Sequence, residues 1–308
     1  MRKSLIVLST LGAILALASC KKDDDSDDYK FSVVAPNGAP AACLADMDID
    51  DDNNTYTYIA AETISAQFTA KTADFIIAPI SAGAKLYKAG LSQYVFGGTV
   101  TWGNIFFASQ QNISSLNDLK DKKITMFGDG SSNASAARYV LNQNNITFEE
   151  ETPLATAQNT QTVLLSNENA VVLSAEPAIT AAKAQKTIYS IDVQQEMKKL
   201  TNNSFAYTQA GLFINPDTIK NHKGVVNEFI EDLKESCDEV TTDLEETAQN
   251  CVTLGILPKL AIAKAALPKC NISFMNAKNS KSYVEFTASL NLSDFGGANP
   301  VNEFYFGL

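Results

Sequence analysis

From Phe31 onward the chain alternates short apolar runs with segments of helical period, and this alternation predicts α/β construction. Strands are expected over residues 31–35, 55–60 and 73–78, the last stopped by Pro79. Between the first two, Pro36-Asn37-Gly38-Ala39-Pro40 is a turn that opens a helix near Ala41, and residues 63–69 form a short helix. Residues 94–110 are long and β-rich, with Gly97-Gly98 permitting a bulge. A stretch of that length suits a segment passing from one domain into another.

A second unit follows. Residues 117–121 read as a helical turn and 123–127 as a strand, after which Gly128-Asp129-Gly130-Ser131-Ser132-Asn133 opens a helix through Leu141. Strands over 147–153, 170–174 and 187–191 alternate with helices over 157–166 and 178–185, and Glu176-Pro177 closes the middle strand. Residues 205–214 are β-like again and end at Asn215-Pro216, a return crossing. Thereafter the chain reads as mostly helical. Val225, Phe229, Leu233 and Cys237 recur every four residues as one apolar stripe, and further helices cover 243–254, 259–266 and 283–290. The pattern is a discontinuous first domain, residues 30–107 plus 209–308, around an inserted second one, residues 108–208.

The beginning of the chain is an address. Arg2 and Lys3 precede an apolar stretch from Leu5 to Leu17, too short for a comfortable membrane span. It ends Leu17-Ala18-Ser19-Cys20, which resembles a bacterial lipobox, so residues 1–19 are expected to be a signal peptide and Cys20 a lipidated N-terminus. Residues 20–29, Lys-rich and then acidic, are too polar to bury a core and read as a solvated tether. The protein is therefore expected outside the cytoplasm, anchored to the bacterial cell membrane without crossing it.

Charge narrows the function. The 308 residues carry 24 Lys and Arg against 35 Asp and Glu, a net −11 that becomes −13 once Arg2 and Lys3 are cleaved away. That balance excludes a nucleic-acid partner, whose phosphates need clustered cations. His222 is the only histidine, so no site can rest on a histidine pair, and its setting, Asn221-His222-Lys223-Gly224, reads as an exposed helix start. The run from Asp46 to Asp52 imitates a calcium loop, but Asp51 stands where an EF-hand needs glycine and Thr57 where it needs glutamate. No metal, cofactor or catalytic residue is expected. Cys43, Cys237, Cys251 and Cys270 remain beyond the lipobox; outside the cytoplasm they permit disulfides, while Cys237 on the apolar stripe equally suits a buried thiol.

Ligands of open α/β sheets sit beyond the carboxyl ends of strands, where helix N-termini offer partial positive charge and unpaired N–H groups. Three such places occur here: Pro36, Asn37 and Gly38; Pro79, Ser81 and Ala82; and Gly128, Ser131, Ser132 and Asn133. The last is equally well explained as a helix cap, and Asp129 within it opposes a bare anion. Trp102 beside Gly103 suits stacking on a flat ligand, though a lone tryptophan is more often core. Glu176 reads either as the acceptor of a ligand amine or as a solvated turn carboxylate.

Taken in order, the lipobox, Ala73-Asp74-Phe75-Ile76-Ile77-Ala78-Pro79, Thr101-Trp102-Gly103-Asn104 and Leu116-Asn117-Asp118-Leu119-Lys120-Asp121-Lys122-Lys123-Ile124 resemble the substrate-binding lipoproteins of ABC importers. The branch they resemble is the one shared by sulfonate, nitrate and thiamine-precursor binding proteins, and the resemblance covers about residues 30–306. It implies a two-lobed periplasmic-binding-protein fold of type II with two α/β lobes and a two-segment hinge. It also implies a monomer that closes on a small anionic or planar ligand and delivers it to ABC permease subunits. Asp121 departs from the pattern, standing where that family often has glycine. An enzyme on the same fold, or a surface sensor without a transporter, are the other readings.

Overall fold

The computed structural model describes residues 29–51 and 53–308; the expected signal peptide, Cys20, the expected tether up to Asp28, and Asp52 lie outside the described residues. Its strands are β1 (Ser32–Pro36), β2 (Thr55–Ile59), β3 (Phe75–Pro79), β4 (Val95–Thr101), β5 (Ile105–Ser109), β6 (Lys122–Thr125), β7 (Phe148–Glu150), β8 (Val171–Ala175), β9 (Tyr189–Asp192), β10 (Ala210–Ile214) and β11 (Ile272–Asn276). They form two sheets, ordered β11-β4-β10-β3-β1-β2 and β7-β6-β8-β5-β9.

The two sheets share a plan. In each, three parallel strands (β2, β1, β3; β7, β6, β8) are followed by a strand running the other way, β10 or β5. Each of these antiparallel strands is the first that the chain enters after crossing between sheets. The outward crossing is Trp102-Gly103-Asn104, so the long β-rich stretch is two strands in two sheets rather than one. The return crossing runs beside it: the Gln209 N–H donates to the Thr101 carbonyl (2.9 Å), and the Ala210 N–H donates to Thr101 Oγ1 (2.9 Å). The chain thus has two α/β lobes joined by two adjacent segments.

Strands buried on both faces explain why the core reads as unbroken apolar runs. On β3, Phe75 and Ile77 enter one core while Ile76 and Ala78 enter the other. On β5, Ile105 and Phe107 likewise part from Phe106 and Ala108. The apolar stripe is the buried face of the helix Lys223–Thr242, and its Phe229 stacks on Phe75 at 3.8 Å between ring centroids. Each such ring withdrawn from water stabilises the fold by roughly 1.5–3 kcal/mol.

Local expectations fare unevenly. The bulge falls where the glycine pair allowed it, since Leu212 pairs with Gly98 but Phe213 with Phe96, leaving Gly97 as the extra residue. Asp121 adopts φ 58°, a left-handed conformation that explains the glycine of the resembling family; aspartate tolerates it, and here its carboxylate accepts a hydrogen bond from Thr147 Oγ1. The helix Ile80–Lys88 was not anticipated because Gly83 interrupts it, yet a Cβ at Gly83 would stand 2.2 Å from the Phe213 ring. That close approach of helix to sheet requires glycine. Strand β11 and the helix Val193–Thr201 were also missed, the first because a five-residue strand lies inside an otherwise helical stretch.

The four described cysteines are free, buried thiols, so no disulfide forms among the described residues. Burial pushes the Cys237 thiol well up, and Cys251 up to about 12. His222 corrects another expectation: it is half-buried, stacked on Tyr29 at 3.6 Å, where the sequence suggested exposure. Among the described residues no helix is long and apolar enough to cross a membrane.

Candidate functional site

The carboxyl ends of β1, β3 and β8, with the loop after β6, converge on a cleft of about 260 Å³ between the lobes. Pro36, Asn37, Gly38, Pro79 and Ser81 line it from the first lobe. Gly128, Ser131, Ser132, Asn133 and Glu176 line it from the second. Three residues named from the sequence are absent from this lining. Ala82 lies one step along its helix from Ser81, and the 100° turn per residue carries it out of the cleft.

Trp102 and Gly103 belong to the scaffold behind the cleft. The Trp102 indole is 2% exposed, donates from Nε1 to the Ser273 carbonyl (2.8 Å), stacks on Phe205 at 4.0 Å and meets Tyr283 edge-on. Gly103 has φ 83°, and a Cβ there would stand 2.4 Å from the Tyr207 ring. That ring supports the site from behind, its hydroxyl donating to Asn133 Oδ1 (2.8 Å).

Three helices begin at the cleft: Ile80–Lys88 after Pro79, Ser132–Gln143 after Ser131, and Ala157–Ser166 after Thr156. None has an acidic residue in its own first turn, although Asp294 accepts from Ser135 Oγ in the first turn of Ser132–Gln143 (2.6 Å) and Glu62 and Glu176 are among the residues lining the cleft. No Lys or Arg lines the cleft among the described residues. Together these ends can hold an anion by N–H groups and dipoles alone. Asp129, suspected of opposing an anion, is exposed outside the lining, and the Arg138 guanidinium at 2.8 Å holds its carboxyl below the usual range.

Glu176 is 3% exposed, so the solvated-turn reading fails. Its carboxylate accepts from the Thr180 N–H and Oγ1 (both 3.0 Å), capping the short helix Ala178–Lys183, and Lys269 Nζ stands at 4.0 Å. Burial raises its pKa, against the Thr180 bonds and Lys269, which lower it.

The sequence reading missed Asn104 and Gln209, which line the cleft at the two crossings. It missed Glu62, Phe127 and residues 155–158, which lead into the helix Ala157–Ser166, as well. Small and amide residues in loops carry no periodic signal; only their position next to the crossings could have singled out Asn104 and Gln209.

Residues 99–247 match the family model described as NMT1/THI5 like. No curated protein matches this chain. Among solved structures, an ABC transporter protein from Parabacteroides distasonis superposes with a TM-score of 0.77 at 18% identity, covering 90% of this chain and 99% of that one. The periplasmic aliphatic sulphonate binding protein SsuA from Escherichia coli gives 0.66 at 13% identity, over 86% and 87% of the two chains. The alkanesulfonate-binding protein SsuA from Xanthomonas axonopodis pv. citri, bound to MOPS, gives 0.65 at 14%, over 88% and 95%. The fold is therefore that of the periplasmic binding proteins, and the match to the NMT1/THI5-like model agrees with the branch that the sequence motifs resemble.

Proposed function

We propose that this chain is an extracytoplasmic solute receptor, held to the membrane by a lipid on Cys20, that captures a small anionic metabolite between its lobes for an ABC permease. The observation that carries the reading is a two-lobed cleft where three helix N-termini meet without an acidic residue in their first turns and without a lining cation. Such a site recognises carboxylate, sulfonate or phosphate oxygens by backbone N–H groups and hydroxyls. Because both lobes contribute lining, a ligand between them favours the closed arrangement, which gives a permease something to distinguish. The aliphatic-sulphonate and alkanesulfonate binders that share the fold support the anion. A planar ligand has lost its support, since Trp102 does not face the cleft.

The test is thermal unfolding of the protein against small sulfonates, carboxylates and phosphates. A ligand at a hundred times its Kd stabilises by about 2.7 kcal/mol, a rise of several degrees. One acid that raises the transition and is recovered unchanged supports a receptor; an altered product shows an enzyme; a panel without effect refutes the anion reading. The anchor has its own test: Cys20→Ala should release the protein from the membrane fraction and abolish labelling by fatty acid.

A further inference from the structure

Of the buried side-chain polar atoms left without a hydrogen-bond partner among the described residues, Ser132 Oγ and Gln209 Oε1 belong to residues lining the interlobe cleft, one from each side of it. A buried polar atom with no partner is costly, and native structures keep few of them. Two in one cleft mark groups kept for something that enters it.

Which atom Gln209 leaves unpaired follows from a fixed point in the network. The Glu176 carbonyl can only accept, so Asn104 must turn its amide nitrogen towards it, Nδ2 to O at 3.1 Å. Asn104 Oδ1 is then the acceptor facing Gln209, which must answer with its own nitrogen, Nε2 to Oδ1 at 3.0 Å. Flipping either amide would set two donors or two acceptors against each other. The unpaired atom is therefore Oε1, an acceptor. On the other side, the Ser132 hydroxyl in the first turn of Ser132–Gln143 can donate to an acid oxygen held at that helix end.

We infer that the ligand is a small acid that also bears an O–H or N–H donor, and that Gln209 is the residue that selects for it. The acid group rests at the helix N-terminus with Ser132, and the donor meets Gln209 Oε1. An acid without a donor leaves that oxygen unpaired, as it already is in the structure, and so forgoes the hydrogen bond that a donor-bearing acid gains. Gln209 stands on the return crossing and Asn104 on the outward one, so a donor bound here engages both segments between the lobes. This inference rests on the receptor reading above, and it narrows the ligand from any small anion to a hydroxyl-, amine- or amide-bearing one.

The experiment titrates the full chain with hydroxyalkyl sulfonates and carboxylates of about two to four carbons, each paired with its methyl ether. The ether keeps the acid and the oxygen but cannot donate. The hydroxy acid should bind at least about tenfold more tightly than its ether. In Gln209→Met, which keeps length and removes the acceptor together with the N–H donated to Asn104 Oδ1, that preference should vanish while the bare acid still binds. Equal affinity for hydroxyl and ether in the unaltered protein, a comparison that needs no variant to fold, overturns the inference and leaves the receptor standing. So does a preference that persists in Gln209→Met. Failure of every acid to bind refutes the anion reading and this inference with it.

Discussion

Two concavities in this molecule are lined without a Lys or Arg among the described residues and differ in what else they gather. The interlobe cleft holds about 260 Å³ and gathers helix N-termini, with Glu62 and Glu176 in its lining and no lining cation. The larger groove, about 580 Å³, runs along Lys223–Thr242 in the first lobe and is walled by Asp46, Asp50, Asp51, Glu228, Asp232, Glu235 and Glu239. Along that helix Glu228 and Asp232, Glu231 and Glu235, and Glu235 and Glu239 are like-charged neighbours four apart, and no basic residue relieves the last turn. Burial, then the neighbouring carboxylates, pushes Asp232 and Glu239 above the usual carboxylate range. The smaller hollow takes residues from both lobes and keeps two unpaired hydrogen-bonding atoms, Ser132 Oγ and Gln209 Oε1; the larger, which keeps Ser236 Oγ unpaired, is a repulsive wall of one lobe. Size alone would not have chosen the interlobe cleft.

The sharpest way to break the contrast is to give the cleft the groove's charge. Ser131→Asp puts another residue favoured at helix N-caps at the N-cap position while placing a carboxylate at the proposed anion site. It should weaken binding of a small acid by about a hundredfold or more, with the melting temperature held or raised; calorimetric titration beside a melt reads both. Next come the residues behind the cleft. Gly103→Ala meets both a left-handed φ and the Tyr207 ring, and should lose about 2–4 kcal/mol in denaturant unfolding. Trp102→Phe, leaving the Ser273 carbonyl unpaired, should cost about 1–3 kcal/mol with ligand affinity in the folded protein little changed. A loss of affinity without a loss of stability in Trp102→Phe would return Trp102 to the binding surface.

The groove answers to pH. Asp232 and Glu239 have folded-state pKa values above their unfolded ones, so the folded chain binds protons more readily there. Their stabilising contribution is complete below the unfolded carboxylate values and is lost as pH rises through the folded ones. Asp118 and Asp129, held low by hydrogen bonds and by Arg138, behave oppositely and lose their contribution as pH falls through the acid range. Urea unfolding should therefore show stability rising from pH 7 to about 5 and falling below about 4. Asp232→Asn should flatten the first limb. The smallest effect is Glu235→Gln, a gain of about 0.2–0.5 kcal/mol that added salt should shrink. A loss on that substitution would show that the wall is held together by something other than what its charges imply.

Much of the fold was legible because strands such as β3 and β5, buried on both faces, must be apolar at successive positions. The cleft's loops were legible for a different reason: Gly128 to Asn133 and Pro36 to Gly38 follow strands and open helices, and that order fixes where they lie. Trp102 misled because an aromatic side chain has no direction in a sequence; only the fold shows the ring turned towards Phe205 and Tyr283. Gln209 escaped notice for the opposite reason. Its meaning lies in a hydrogen-bond relay through Asn104 to the Glu176 carbonyl, between residues far apart in the chain.

The position of β10 between β3 and β4 has a consequence for the order in which the molecule is made. Every strand of the second sheet lies between residues 105 and 192, so that lobe holds all its strands on one continuous stretch of chain. The first sheet has a gap at its middle until residue 210 arrives, and β11 comes later still. As the chain emerges from its N-terminus, the lobe that begins first is thus completed last, with strand edges that stay open while the other lobe closes its sheet. A chain translocated unfolded would form both lobes beyond the membrane, with the inserted lobe maturing first.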